Sequence, residues 1–226
     1  MATKTWLARG HIALNMMNGT QTQHRIPMNP QPRIGVDGKG RTIRDDYFVW
    51  DSPSKRICPV TEDAMYSIVR QAPYQIGDIV WVREPARVIA VEESEDCLYE
   101  WVRLKYAADN HEATITIPPR LYEAWDTKYT RGAPAWLWKK QGIPNGIFKE
   151  AARTFLRINE IRVERIRSIS EADCIAEGIR EHYAFTTLKE QFRNLWANLY
   201  SRSWSRNDWV WVYEFEQVDK PTEWDA

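Results

Sequence analysis

Four stretches of the chain alternate in polarity with a period of two, and this feature constrains the fold more than any other. Sustained alternation in β-branched and aromatic residues is what a half-buried strand requires. The stretches run from Gly77 to Ile89, Leu98 to Tyr106, Arg153 to Arg165 and Trp209 to Val218. In the last, Trp209, Trp211, Tyr213 and Phe215 are expected on one face, with Val210, Val212, Glu214 and Glu216 on the other. A shorter strand is expected over Ala113–Ile117, where Pro118 and Pro119 end the ladder.

Helical signals are fewer. Thr187-Leu188-Lys189-Glu190 reads as a capping box, and Leu188, Phe192, Leu195, Trp196 and Leu199 follow it at helical spacing. Ser170-Glu171-Ala172-Asp173 opens a second helix that ends near Gly178, and Thr61 precedes a third through Ala64, Met65, Ile68 and Val69. A helix of about Ile12 to Asn18 is closed by Gly19. Strands in irregular order with short helices between them point to an α+β fold with a small mixed or antiparallel β-barrel at its centre. Ile26–Gly40 and Arg131–Gly146, rich in Pro and Gly, read as long loops, and Ser201–Asp208 as a polar one.

At 226 residues the chain is expected to form a single domain, elaborated by an insert of about residues 90–146. Thirty-one basic residues balance thirty-one acidic ones, so no global field holds nucleic acid or an anionic membrane, and such binding must be local. Lys139–Arg167 carries eight basic and three acidic residues; it reads equally as a phosphate-tracking groove or as a solvated strand face. No apolar run reaches the length of a membrane span and no secretion signal is visible, so a cytoplasmic protein is expected. Cys58, Cys97 and Cys174 lack disulfide or zinc spacing, and His111 and His182 are isolated; no metal and no cofactor are expected.

Four segments taken in order resemble the ASCH domain, in particular its larger bacteriophage and prophage members. Asn18-Gly19-Thr20-Gln21-Thr22-Gln23-His24-Arg25, followed by Pro27, Pro30 and Pro32, resembles the family's Gly-x-Lys-Thr-x-Thr-Arg turn. The stretch from Pro73 through Gly77-Asp78-Ile79-Val80-Trp81-Val82-Arg83-Glu84 is similar to its Gly-Asp-x-Leu-Trp-Val-Arg-Glu strand. Ile161–Ile166 with Ile169–Asp173 and Ala176–Ile179 resembles its strand and acidic helix, and Phe192–Trp196 with Asn207–Phe215 its closing helix and strand. The resemblance covers about Ile12 to Val218. It implies a PUA-like barrel flanked by short helices, with a cleft for RNA or a modified nucleoside. Small members are amidohydrolases acting on N4-acetylcytidine, and others have been assigned ribonuclease activity.

Carried over by position, the family's catalytic Lys is Gln21 here, its nucleophilic Thr is His24, and its carboxylate is Glu177. Gln21 cannot act as a base, but its amide suits recognition of a base edge. The leading expectation is therefore a binding protein whose cleft is formed by Gln21–Arg25, Arg83, Glu84 and Glu177. The enzymatic alternative is an amidohydrolase or ribonuclease in which Glu177 orients His24 as general base, and water or Thr22 attacks. Arg25 would hold a phosphate or fix Glu84. Lys149 and Arg153 fall where phage members carry a basic stretch and are candidates for phosphate contact. Trp204 and Asn207, in the polar loop, are candidates for stacking on and hydrogen bonding to a base, whereas Trp81, Trp209 and Trp211 are expected in the core. Trp125, Trp136 and Trp138 form a lid or a satellite hydrophobic cluster. A third reading is a phage module that captures a host protein, with Trp136 and Trp138 as anchors.

Overall fold

Pairing of the alternating stretches, with short capped helices between them, produces a mixed α+β chain with several sheets. The computed structural model describes residues 4–44, 47–51, 57–93, 99–117, 135–180, 186–222 and 224. Cys97, Trp125, His182 and the side chain of Trp138 lie outside the described residues. In chain order the first elements are β1 (Lys4–Leu7), α1 (Gly10–Met17), β2 (Gln23–Pro27), β3 (Arg33–Ile34), β4 (Phe48–Asp51), β5 (Ile57–Pro59) and α2 (Glu62–Val69). There follow β6 (Ile79–Arg83), β7 (Ala86–Glu93), β8 (Tyr99–Tyr106), β9 (Glu112–Thr116) and α3 (Ala135–Trp138). The last are β10 (Phe155–Arg165), α4 (Glu171–Ala176), α5 (Leu188–Leu199), α6 (Ser203–Arg206) and β11 (Trp209–Val218). Two compact units result: Met1–Gly19 with Ile79–Leu156 and Gln217–Ala226, and Thr20–Asp78 with Arg157–Glu216.

In the first unit β1 runs parallel to β6, Lys4 opposite Val80 and Leu7 opposite Arg83, while β7, β8 and β9 form an antiparallel meander. The single strand expected over Gly77–Ile89 is in fact two, broken at Glu84-Pro85. Proline removes a ladder donor and restricts the residue before it, and the break lets β6 and β7 join different partners. Buried Val88, Val102, Leu104, Leu137 and Phe155 make the core. Trp224 closes it, edge-on to Phe155 at 4.8 Å and to Trp81 at 5.9 Å between ring centroids, its indole N–H donating to the Lys149 carbonyl at 3.2 Å. Gly146 sits at φ 81°, and a Cβ there would come within 2.9 Å of the Arg83 carbonyl oxygen.

In the second unit β10, β11 and β2 lie side by side, with Val210 opposite Pro27 and Glu214 opposite Gln23 across the antiparallel β11–β2 pair. A separate antiparallel sheet orders β3, β4 and β5. Side chains alternate along β11 as expected, but both faces are buried as far as Tyr213. Val210 and Val212 pack in a cluster with Cys174, Leu188, Phe192 and Trp196. On the other face Trp211 meets Trp50 edge-on at 5.4 Å.

Both capping boxes form: Thr187 with Glu190 starts α5, and Ser170 with Asp173 starts α4. Thr61 precedes α2 without a side-chain capping bond. Ile26–Gly40 is not wholly loop, since it holds the end of β2 and all of β3, and Ser201–Asp208 winds into α6. The described strands fall into one five-stranded and two three-stranded sheets. No helix among the described residues is long and apolar enough to cross a membrane.

Candidate functional site

The extended segment from Gln21 through β2 turns a polar sequence inward. Gln21, Gln23 and Arg25 alternate onto one face and are 2%, 3% and 0% exposed, while Thr22 is exposed and His24 half-buried on the other. Burying such groups is tolerable only if their hydrogen bonds are met, and α4 with its C-cap supplies two carboxylate partners, Asp173 and Glu177, while β10 and β11 supply Glu164 and Glu214. The Thr22 N–H donates to the Ala176 carbonyl at 2.9 Å, which sets the C-terminal end of α4 beside residues 21–23. Glu177 caps that end, and Gly178 at φ 84° turns the chain away.

Arg25 is the hub. Its Nη1 donates to Glu177 Oε1 at 2.9 Å and to Gln23 Oε1, its Nη2 donates to Glu164, and Asp173 Oδ2 lies 3.4 Å from Nη2. Gln23 Nε2 donates to Asp173 and Glu214, and Arg162 donates to the same two carboxylates. Two guanidiniums thus serve four carboxylates, Glu164, Asp173, Glu177 and Glu214.

Burial raises Glu177 to about 7, Arg25 opposing and Asp173 and Glu164 reinforcing the rise. Burial also acts to raise Asp173, but hydrogen bonds from Ser170 and Gln23 and the Arg25 charge outweigh it and hold it at about 2. For Arg25 the burial effect is outweighed by Glu177, Glu164 and Asp173, so the guanidinium is held more firmly charged. His24 is lowered to about 4 by burial and by the Arg25 charge, and is neutral at pH 7.

An aromatic row borders this cluster. Phe192, Trp196 and Tyr200, four residues apart along α5 and its C-cap, have successive ring centroids at 5.7 and 4.6 Å. Arg25 Cζ lies 6.0 Å from the Phe192 ring, and the Tyr200 phenol is raised by burial, by the Glu177 charge and by Tyr74. Three buried polar atoms here have no hydrogen-bond partner among the described residues: Gln21 Oε1, Arg25 Nε and Trp196 Nε1.

Of the expected site residues, Arg25 and Glu177 pair directly, Gln21 is buried with its amide bonded to the Gln23 carbonyl, and the Thr22 backbone meets that of Ala176. Glu177 engages Arg25, whose side chain alternates onto the strand face opposite that of His24. Arg25 does not fix Glu84, since Glu84 is held in the first unit by Arg153. Arg153 donates through Nε and Nη2 to Glu84 at 2.7 and 2.6 Å, and through Nη1 and Nη2 to Asp109 at 2.8 and 2.9 Å. Its guanidinium also stacks 3.9 Å from the Tyr106 centroid. A fork committed to two carboxylates is not offered to a phosphate. Lys149 Nζ sits 5.0 Å over the Trp224 ring, and the Arg83 carbonyl accepts from the Ala8 N–H at 3.2 Å.

Trp204 and Asn207 have structural duties. Trp204 is half-buried against Phe192 at 6.2 Å, and its carbonyl accepts from Arg167 Nε at 2.8 Å. Asn207, in the left-handed region at φ 55°, accepts from the Arg167 N–H through Oδ1 and from Arg165 through its carbonyl. Arg165 Cζ lies 4.2 Å from the Phe48 and 4.4 Å from the Trp209 ring centroid, and Arg157 pairs with Glu216 at 3.3 Å. Within the basic run the β10 arginines are engaged, Arg157 and Arg162 in ion pairs and Arg165 against aromatic rings. Trp136 packs half-buried on the first unit's core.

Sequence reasoning missed Glu164, Asp173, Arg162 and Tyr200. The alternation of Gln21, Gln23 and Arg25 was the available signal, because polar groups repeating with period two mark one strand face as apolar ones do. Comparison of the chain with protein families, with curated proteins and with solved structures finds no match in any of the three.

Proposed function

We propose that the protein binds RNA or a modified nucleoside through its second unit, in the manner of the PUA-like ASCH proteins that its sequence resembles. The observation that carries this reading is the Gln21 side-chain oxygen, a buried acceptor without a hydrogen-bond partner among the described residues. An unmet buried acceptor is unfavourable by about 1–3 kcal/mol, which a ligand N–H recovers on binding. The adjoining aromatic row suits a planar ligand, since rings stack on heterocycles of any sequence. The resemblance supplies the class of ligand.

The test is a fluorescence titration of short single-stranded RNAs, N4-acylated cytidines and unmodified nucleosides against the protein and its Gln21→Met variant. Saturable binding that the variant loses supports the proposal, and absence of binding by the parent protein rejects it.

One observation favours a second, hydrolytic reading. A carboxyl held near 7 can both give and take a proton at neutral pH, as general acid–base chemistry requires. Glu177 would then activate water against an N4-acylcytidine or an RNA phosphodiester. Products formed equally by the parent and by Glu177→Gln in a mass-spectrometric assay exclude this chemistry.

A further inference from the structure

We infer that the second unit carries a phosphate subsite at Arg165, the last residue of β10, which holds the backbone of a bound RNA outside the Arg25–Glu177 cluster. This rests on the RNA-binding reading above and deepens it. A guanidinium pairs best with an oxyanion through the edge formed by Nε and Nη2, whose parallel N–H groups match two oxygens. Three arginines among the described residues spend that edge on a carboxylate. Arg153 bonds Glu84 at 2.7 and 2.6 Å, Arg206 bonds Asp208 at 2.9 and 2.6 Å, and Arg33 bonds Asp51 at 2.9 and 3.3 Å.

Arg165 keeps the same edge open. Its Nη1 donates to the Asn207 carbonyl at 2.8 Å, and the rings of Phe48 and Trp209 lie 4.2 and 4.4 Å from its Cζ. One hydrogen bond and two rings thus hold the guanidinium in place. Its Nε and Nη2 have no hydrogen-bond partner among the described residues, and neither atom is buried, so both reach solvent. A fork already ordered loses little freedom when it takes up a ligand.

The local charge favours an anion. Burial opposes the Arg165 charge more strongly than the nearby Asp208 carboxylate supports it. Asp208 is itself bound through both oxygens to Arg206. Exposed Arg167 is fastened to the same segment as Arg165: its backbone N–H donates to Asn207 Oδ1 at 3.1 Å, and its Nε and Nη2 donate to the Trp204 and Ser205 carbonyls at 2.8 and 2.7 Å. Those partners are carbonyls, which leave its charge unneutralised. Two guanidiniums therefore meet residues 204–207 with no carboxylate bonded to either. A phosphodiester strand, charged at every nucleotide, suits such a pair.

The subsite is separate from the nucleoside site. Glu164 turns to Arg25, so the adjacent Arg165 points to the opposite face of β10. A phosphate there belongs to a strand long enough to pass round the end of β10, and a lone nucleoside gains nothing from Arg165.

The test is an anisotropy titration of the full chain with a short labelled single-stranded RNA over a series of salt concentrations, with a nucleoside and polyglutamate titrated in parallel. Arg165→Gln is expected to weaken RNA binding about tenfold, the effect of one charge-assisted contact, and to leave nucleoside affinity within about twofold. It should also lower the slope of log affinity against log salt by about 0.7, one phosphate contact on a single strand. Arg165→Lys keeps the charge but not the fork, and should hold the salt slope while still losing affinity. Arg157→Gln removes an exposed arginine of the same strand that is paired with Glu216, and should change RNA affinity by less than about twofold. Thermal melting of each variant separates lost contact from lost fold. Equal RNA affinity in the parent and Arg165→Gln, or equal losses from Arg165→Gln and Arg157→Gln, overturns the subsite and leaves RNA binding standing. Polyglutamate held as tightly as RNA, with the same dependence on Arg165, overturns the phosphate assignment in favour of an acidic peptide. Binding of no RNA and no nucleoside by the parent overturns both readings.

Discussion

Replacement of Arg25 by Met tests the energetics of the buried cluster. The substitution keeps the aliphatic stem but removes the one cation that touches Glu177, Glu164 and Asp173 together. Arg25 has no exposed surface, so water cannot take its place without rearrangement. Breaking a buried ion pair from one side is destabilising by about 3–5 kcal/mol, because the partner charge is left uncompensated. For a chain of this size each kcal/mol lowers the melting temperature by roughly 2–4 °C, so a drop of roughly 6–20 °C is expected at pH 8.

The orphaned carboxylates can escape the penalty by taking up protons. The loss should therefore shrink at pH 5, where Glu177, already raised to about 7, is protonated in the parent as well. Urea unfolding at the two pH values measures both quantities. A loss below about 1 kcal/mol, within the range of exposed ion pairs, would refute the reasoning, as would an equal loss at pH 5 and pH 8.

Further substitutions address individual groups. Glu177 titrates at about 7 in the fold against an ordinary 4.5, so the native state holds an extra proton between those values and its contribution to stability falls as pH rises through that window; Glu177→Gln should abolish this slope in pH-dependent unfolding. His24 has the opposite sign, about 4 in the fold against 6.5, so its contribution is lost as pH falls from 6.5 towards 4, and His24→Asn should remove that acid sensitivity. Trp224→Ala should cost about 3–5 kcal/mol in chemical denaturation, because it empties the space beside Trp81 and Phe155; a neutral effect would show that the C-terminal indole does not complete the core. Gly146→Ala should lower stability by about 1–3 kcal/mol through its positive φ, with more added by the approach to the Arg83 carbonyl, and thermal melting reads it directly.

Legibility in the sequence followed the range of the interactions. The α5 helix was readable because its capping box and apolar stripe lie within twelve consecutive residues. The β8, β10 and β11 strands were readable because alternation is local. The β6–β7 break was hidden because alternation continues in register across Glu84-Pro85, although Pro85 carried the signal. The β2 strand was obscure for another reason. Its inward face is Gln23 and Arg25, which looks like a solvated turn until α4, whose Glu177 is 152 positions away, supplies the partners. A buried face made of charge is invisible to hydrophobic periodicity, since its stability depends on distant groups. The same distance explains why Glu177 could be singled out while its true partner, Arg25, could not be assigned to it. Trp224 is a lone aromatic near the chain end, and a single residue has no period by which its burial could be read.

The most direct test of the account is localisation of a bound ligand by amide chemical-shift mapping of the isotope-labelled protein during titration with a nucleoside and a short single-stranded RNA. Saturable shifts concentrated at residues 21–25, 173–178 and 196–200 are the predicted result. Shifts confined to the Arg153, Glu84 and Asp109 cluster, or no saturable shift with either ligand, would contradict the placement of the binding site around Arg25 and Glu177.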